Sequence, residues 1–121
     1  MNSDPLLRRV TDDKSHRFME AFELLRQLDR EVPGQLLSSF FYIASHNPCH
    51  KLAMEQDLNF SSASSSRCCD WLSDLHRDGK PGLGLIIKYD DPHNRRRVMC
   101  KLSPKGEAMI QAIKDKLYGQ N

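Results

Sequence analysis

Two stretches of this 121-residue chain carry side chains able to do chemistry at a surface. The first is the serine tract 61–66 followed by Arg67, and the second is Arg95, Arg96 and Arg97, set directly behind Asp90-Asp91-Pro92-His93-Asn94. Short hydroxyl side chains at the start of a helix let its backbone approach the base edges of a DNA major groove while still hydrogen-bonding to them. An arginine among them reaches a guanine or a phosphate. Ser62, Ser64, Ser66 and Arg67 meet that description. A guanidinium cluster at a turn suits the phosphate backbone, or the minor groove, where focused negative potential favours arginine. Arg95, Arg96 and Arg97 are the candidates there.

Other chemistries find less support. The sequence holds no Gly-rich phosphate loop, metalloprotease helix or nucleophile elbow. The carboxylates Asp90 and Asp91 are explained by a turn. The glycine-rich stretch 79–84 precedes a strand and so lacks the helix N-terminus that a pyrophosphate needs. His46, Cys49, His50, Cys68 and Cys69 are ligand types for zinc, but no C-x2-C pair is present, and Cys68 and Cys69 on one helix point about 100° apart. No metal and no cofactor is expected. The four cysteines, Cys49, Cys68, Cys69 and Cys100, form no disulfide framework and read as reduced thiols, with Cys68, Cys69 and Cys100 as small core hydrophobes. Cys49, flanked by His50 and Lys51, is the local candidate for a reactive thiol. The expectation is a binding protein and not an enzyme.

These residues need elements to position them. From 13 to 30 the apolar residues Phe18, Ala21, Phe22, Leu25 and Leu28 recur at helical intervals, behind an N-cap at Asp12 or Asp13. After Pro33-Gly34, the run from Leu36 to Ala44 is apolar on nearly every side and predicts a core helix ended by Asn47-Pro48. A short helix over 52–58 stops at Asn59, a residue tolerated in the left-handed conformation of tight interhelical turns. Ser61 then caps a fourth helix whose inner face is Ser65, Cys68, Cys69, Leu72 and Leu75, and which runs to a stop near Gly79. Taken alone, the serine tract has the composition of a linker, but Trp71, Leu72 and Leu75 continue its helical register. Residues 85–89 and 96–102 predict two strands around a tip at 90–94. Ser103 caps a last helix with Pro104 at its first position and Met109, Ile110, Ile113 and Leu117 on its apolar face.

Composition bounds the rest. The chain suits one domain, read as a tail over 1–12 and a single folded unit over 13–121. Within that unit the paired helices occupy about 50–78, the hairpin about 84–102 and the last helix about 104–118. At 39% hydrophobic and 28% charged it is neither collagen-like nor wholly disordered. No apolar run reaches the roughly 20 residues of a membrane span, and the first ten residues lack a secretory h-region, so a cytoplasmic protein is expected. Net charge is +2 but unevenly spread. Residues 1–60 hold seven Lys and Arg against nine Asp and Glu, whereas residues 61–121 hold eleven against seven. A polyanion would therefore meet the C-terminal half.

Two helices joined by a tight turn, a hydroxyl-rich second helix and a hairpin with a basic tip together make a winged helix-turn-helix of the α+β class. The residues that follow this order resemble the MarR-type winged-helix transcriptional regulators. Asp91-Pro92-His93-Asn94-Arg95-Arg96 and Ser103-Pro104-Lys105-Gly106 are similar to that family's wing and its entry into the last helix. Leu58-Asn59-Phe60-Ser61, Ser66-Arg67 and Asp70-Trp71-Leu72 are similar to its recognition-helix run. The resemblance covers about residues 34–118. It implies a homodimer that binds palindromic operator DNA, with the recognition helix at 61–77 and Arg95 and Arg96 in the wing. Asn94 stands where the family usually has an acidic residue, Glu55 where it has a small one, and 79–83 resembles an insertion.

The function expected is a sequence-specific regulator of transcription, a repressor in the first instance, of bacterial, phage or plasmid origin. The alternative is a protein-binding winged helix that touches DNA weakly or not at all. Phe18, Phe22 and Leu25 of the first helix, with Ile110, Ile113 and Leu117 of the last, are expected to form the dimer contact. In the wing, strand alternation would put Arg95 and Arg97 on one side and Arg96 on the other, with Arg96 braced by Asp91 or Asp90. A small-molecule effector is a further expected partner. Phe40, Phe41, Tyr42 and Trp71 are aromatic enough to line its pocket, although at helical spacing they suit the core better.

Overall fold

A computed structural model of the chain describes residues 4–74 and 79–119. Helix α1, Asp13–Arg26, starts where the Asp12 carboxylate accepts the backbone N–H of Ser15 at 3.3 Å, and α2 spans Gly34–Ser45. A two-residue strand β1, Cys49–His50, leads into α3, Lys51–Leu58. Asn59 then takes the left-handed conformation, φ 56° and ψ 44°, and turns the chain into α4, Ser62–Leu72, capped by the Ser61 hydroxyl. The hairpin is β2, Ile86–Asp91, and β3, Asn94–Leu102, and α5, Pro104–Tyr118, closes the chain behind its Ser103 cap.

The core is laid down by the apolar faces foreseen for these helices. Leu36, Phe40 and Ile43 of α2 are buried with Met54 of α3, Cys68, Cys69 and Leu72 of α4, Leu85 just before the hairpin, and Ile86 and Cys100 within it. Leu25 of α1 and Ile113 of α5 join them, since α1 and α5 pack along each other. Polar ties hold the helices in register. The Tyr42 hydroxyl donates to Asp57 at 2.6 Å, which links α2 to α3 and pushes the Tyr42 pKa up to about 12. Phe40, Tyr42, Phe41 and Trp71 all pack in or against this core, Phe40 and Tyr42 buried outright.

Three features differ from the sequence expectation. Helix α4 ends at Leu72, not near Gly79, because the following loop folds back and supplies its C-terminal carbonyls with donors. Leu83 N–H reaches Trp71 O at 2.8 Å and Leu85 N–H reaches Leu72 O at 2.7 Å. Leu75, His76 and Arg77, expected in the same helix, lie outside the described residues. The strands extend further than 85–89 and 96–102, leaving Pro92-His93 as a two-residue tip. Strand β1 was not anticipated; it pairs antiparallel with β3, Cys49 opposite Cys100 and His50 opposite Met99, and makes a sheet of order β1-β3-β2.

Candidate nucleic-acid interface

Helix α4 is clamped so that its serines divide by role. Ser65 is fully buried, and its hydroxyl donates to Glu55 of α3 at 2.6 Å. The same carboxylate pairs with Lys51, so a charged junction fills the helix-turn-helix angle where a small residue would otherwise let α3 and α4 close. Burial works to raise the Glu55 pKa, but the Lys51 and Ser65 hydrogen bonds outweigh it and hold the carboxyl below its ordinary value. Ser62 and Arg67 are exposed and Ser64 and Ser66 half-buried, so all four keep access to solvent on the outer side. Arg67 Nη2 donates to Ser64 Oγ at 3.2 Å, and Ser64 N–H is held by Ser61 Oγ at 3.0 Å. The arginine thus rests on the helix start that a groove would receive. Further along, Asp70 pairs with Lys88 of β2, fixing the helix against the wing.

The wing places its three arginines in a break of register. Residues 86–90 pair regularly with 102–98, but Asp91 then pairs with Asn94, so Arg95, Arg96 and Arg97 have no partners across the hairpin. Such a bulge re-aims side chains away from the strict alternation of a strand. All three are exposed. The expected brace also differs. No ion pair joins Arg96 to Asp90 or Asp91; instead Asp91 Oδ1 accepts the His93 N–H at 2.9 Å, and its Oδ2 lies 3.7 Å from His50 Nε2 of β1. Asn94 Oδ1 accepts the Arg96 N–H at 3.1 Å, so the amide supports the arginine backbone. Asp91 thus stands at the tip end of β2 and faces His50 of β1, a strand too short for periodicity to reveal.

The remaining sequence candidates fall elsewhere. Leu25 and Ile113 are buried inside the protomer, Ile110 and Leu117 are half-buried, and Phe18 and Phe22 stay 52% and 41% exposed beside exposed Met19. Cys49 is not an exposed thiol: it is buried, and burial pushes its pKa up to about 11. Cys69 and Cys100 are fully buried with sulfurs 3.8 Å apart. No helix among the described residues is long and apolar enough to cross a membrane.

No protein-family model and no curated protein matches the chain. Solved structures do. A cysteine-to-serine mutant of MarR from E. coli complexed with operator DNA superimposes with a TM-score of 0.63 at 16% identity, over 88% of this chain and 69% of that one. A mutant MepR from a multidrug-resistant S. aureus clinical isolate gives 0.64 at 20% identity, over 84% and 68%. The regulator Tm0710 from Thermotoga maritima gives 0.64 at 17%, over 85% and 66%. With TM-scores of 0.63 to 0.64 to these three structures, the chain has the winged helix-turn-helix fold of the MarR-type regulators.

Proposed function

We propose that the protein is a non-enzymatic regulator of transcription that binds double-stranded DNA as a two-fold homodimer. Each protomer presents α4 to a major groove through Ser62, Ser64, Ser66 and Arg67, and lays Arg95, Arg96 and Arg97 on the neighbouring backbone or minor groove. The observation that carries this reading is the pairing of an exposed, Ser64-held Arg67 on α4 with a wing whose register break frees three consecutive arginines. One element is built to read base edges, and the other supplies charge without base information. That one of the superimposed structures is a complex with operator DNA supports the same docking. The dimer contact falls on Phe18, Met19 and Phe22 of α1, which the protomer leaves exposed, with half-buried Ile110 and Leu117 of α5. Repression in a bacterial, phage or plasmid setting, and a location in the cytoplasm, follow from this reading.

In vitro selection of bound duplexes from a random pool tests it. The expected result is a two-fold symmetric site with half-sites about one helical turn apart. A pool that gains no consensus, together with no retarded duplex at low salt, overturns DNA binding and leaves a protein partner as the occupant of this surface.

A further inference from the structure

Among the described residues, polar side chains of helix α4 reach partners at several heights, and three of these contacts lead to different places. Near its start, Ser65 is tied to Glu55 of α3. In its last turn, Asp70 is tied to Lys88 of β2. Both partners belong to the helix-turn-helix and wing, so these ties stiffen the reading head itself. The third hold leaves it. Trp71, the penultimate residue of α4, donates its indole Nε1–H to Asp29 Oδ2 at 3.2 Å across 42 positions of sequence. Asp29 sits in the turn that follows α1, and its backbone N–H still bonds back to Leu25 O of that helix at 3.3 Å. Its other oxygen accepts the Glu31 N–H at 3.0 Å, so the carboxylate is fixed to its own turn before it meets the indole. The Trp71 carbonyl meanwhile receives Leu83 N–H at 2.8 Å from the loop entering the wing. One residue therefore joins the recognition helix, the approach to the wing and the end of α1.

We infer that the Asp29–Trp71 hydrogen bond is the positioning contact that fixes the recognition helix relative to α1, and so sets the half-site spacing a dimer accepts. This rests on the proposed DNA-binding dimer. In a two-fold assembly formed through α1, the separation and tilt of the two α4 helices are determined by how each is fastened to its own α1. Apolar packing through α2 resists translation of α4 but leaves small rotations inexpensive, because dispersion and burial carry little direction. A hydrogen bond from a rigid indole to a carboxylate that is itself anchored restricts the angle. Trp71 and Asp29 touch no base in this arrangement; they act through Arg67 and the serines.

The test uses the full chain and a duplex series that carries two selected half-sites with spacers lengthened or shortened by one and two base pairs. Trp71→Phe keeps an aromatic ring in the core contact but removes the donor together with part of the indole, whereas Asp29→Ala deletes the acceptor and leaves the indole whole. For both variants, the preference for the best spacing over its one-base-pair neighbours should fall about fivefold, the equilibrium weight of one ordinary hydrogen bond. Affinity for a duplex with a single half-site should stay within twofold of wild type, and the double variant should lose no more than either single one. Trp71 is the only tryptophan in the chain, so a shifted emission in Asp29→Ala reports that the contact exists in solution. An unchanged spacing profile in a folded Trp71→Phe variant overturns the inference while leaving DNA binding intact. A wild-type protein that binds none of the duplexes overturns the proposed function, and the inference with it.

Discussion

Arg67 and Arg95 carry the same charge and differ in what holds them. The Arg67 guanidinium is already supported by Ser64 Oγ, so little freedom is lost when it meets a base edge, whereas Arg95 stands in solvent at a break of register. Arg67→Ala should narrow the gap between specific and random duplexes by about 1 to 3 kcal/mol, as read by competition binding. Arg95→Ala should weaken all duplexes alike and lower the slope of log affinity against log salt by roughly 0.9, one phosphate's worth of released counterion. An unchanged slope would take Arg95 off the DNA. Glu55 makes a prediction about stability. Its folded-state pKa lies below the ordinary value, so its contribution is complete at neutral pH and is lost as pH falls through the ordinary carboxylate range toward the depressed value. Glu55→Gln should therefore cost about 1 kcal/mol in urea unfolding at pH 7, and the gap to wild type should shrink below about pH 4.5. A gap independent of pH would mean that the carboxylate contributes packing alone. The sequence marked Glu55 as out of place in the family pattern; it could not show that Lys51 and Ser65 meet there, because the second contact crosses the interhelical turn.

At the scale of elements, the helices most clearly foreseen were those whose limits are set by neighbours in sequence. Asp12, Ser61 and Ser103 cap α1, α4 and α5 through local hydrogen bonds, and Asn59 turns α3 into α4 by its own backbone conformation. The end of α4 obeyed a distant rule. Its apolar spacing continues through Leu75, yet the helix stops at Leu72, where the N–H groups of Leu83 and Leu85 take the carbonyls of Trp71 and Leu72. Strand β1 has two residues and no period of its own; it exists because β3 offers it an edge. The three arginines behind the tip are legible in the sequence, but the register break that leaves them without cross-strand partners belongs to the pairing and not to either strand. The loop that ends α4 is tight enough to test. A Cβ on Gly82 would lie 1.9 Å from the Ser73 carbonyl oxygen, whereas one on Gly34, in the first turn of α2, would meet nothing within 4 Å. Gly82→Ala should destabilise by about 1 to 3 kcal/mol, and Gly34→Ala should be neutral or stabilising by up to about 1 kcal/mol. Thermal melts of the two variants compare them directly, and equal effects would mean that the loop does not close on α4 as described.

For the whole molecule, the face that matters is the one left bare. Phe18, Met19 and Phe22 project from α1 at helical spacing with 41–52% of their surface exposed, an apolar stripe that a second copy would cover. Light scattering should return twice the 14.0 kDa chain mass at micromolar concentration, and Phe18→Asp combined with Phe22→Asp should return the monomer, with single-half-site affinity kept and full-site affinity reduced. A wild-type monomer would remove the dimer from the proposal. The four buried cysteines give the fold its own gauge. Cys69 on α4 and Cys100 on β3 are fully hidden, so a water-borne alkylating reagent reaches them only when α4 and β3 part. Their labelling rate is then a clock for the parting of these two elements, set by the free energy of that opening. A duplex that binds only the closed form must slow the clock in proportion to its saturation, so two sulfur atoms that touch no DNA would record its arrival.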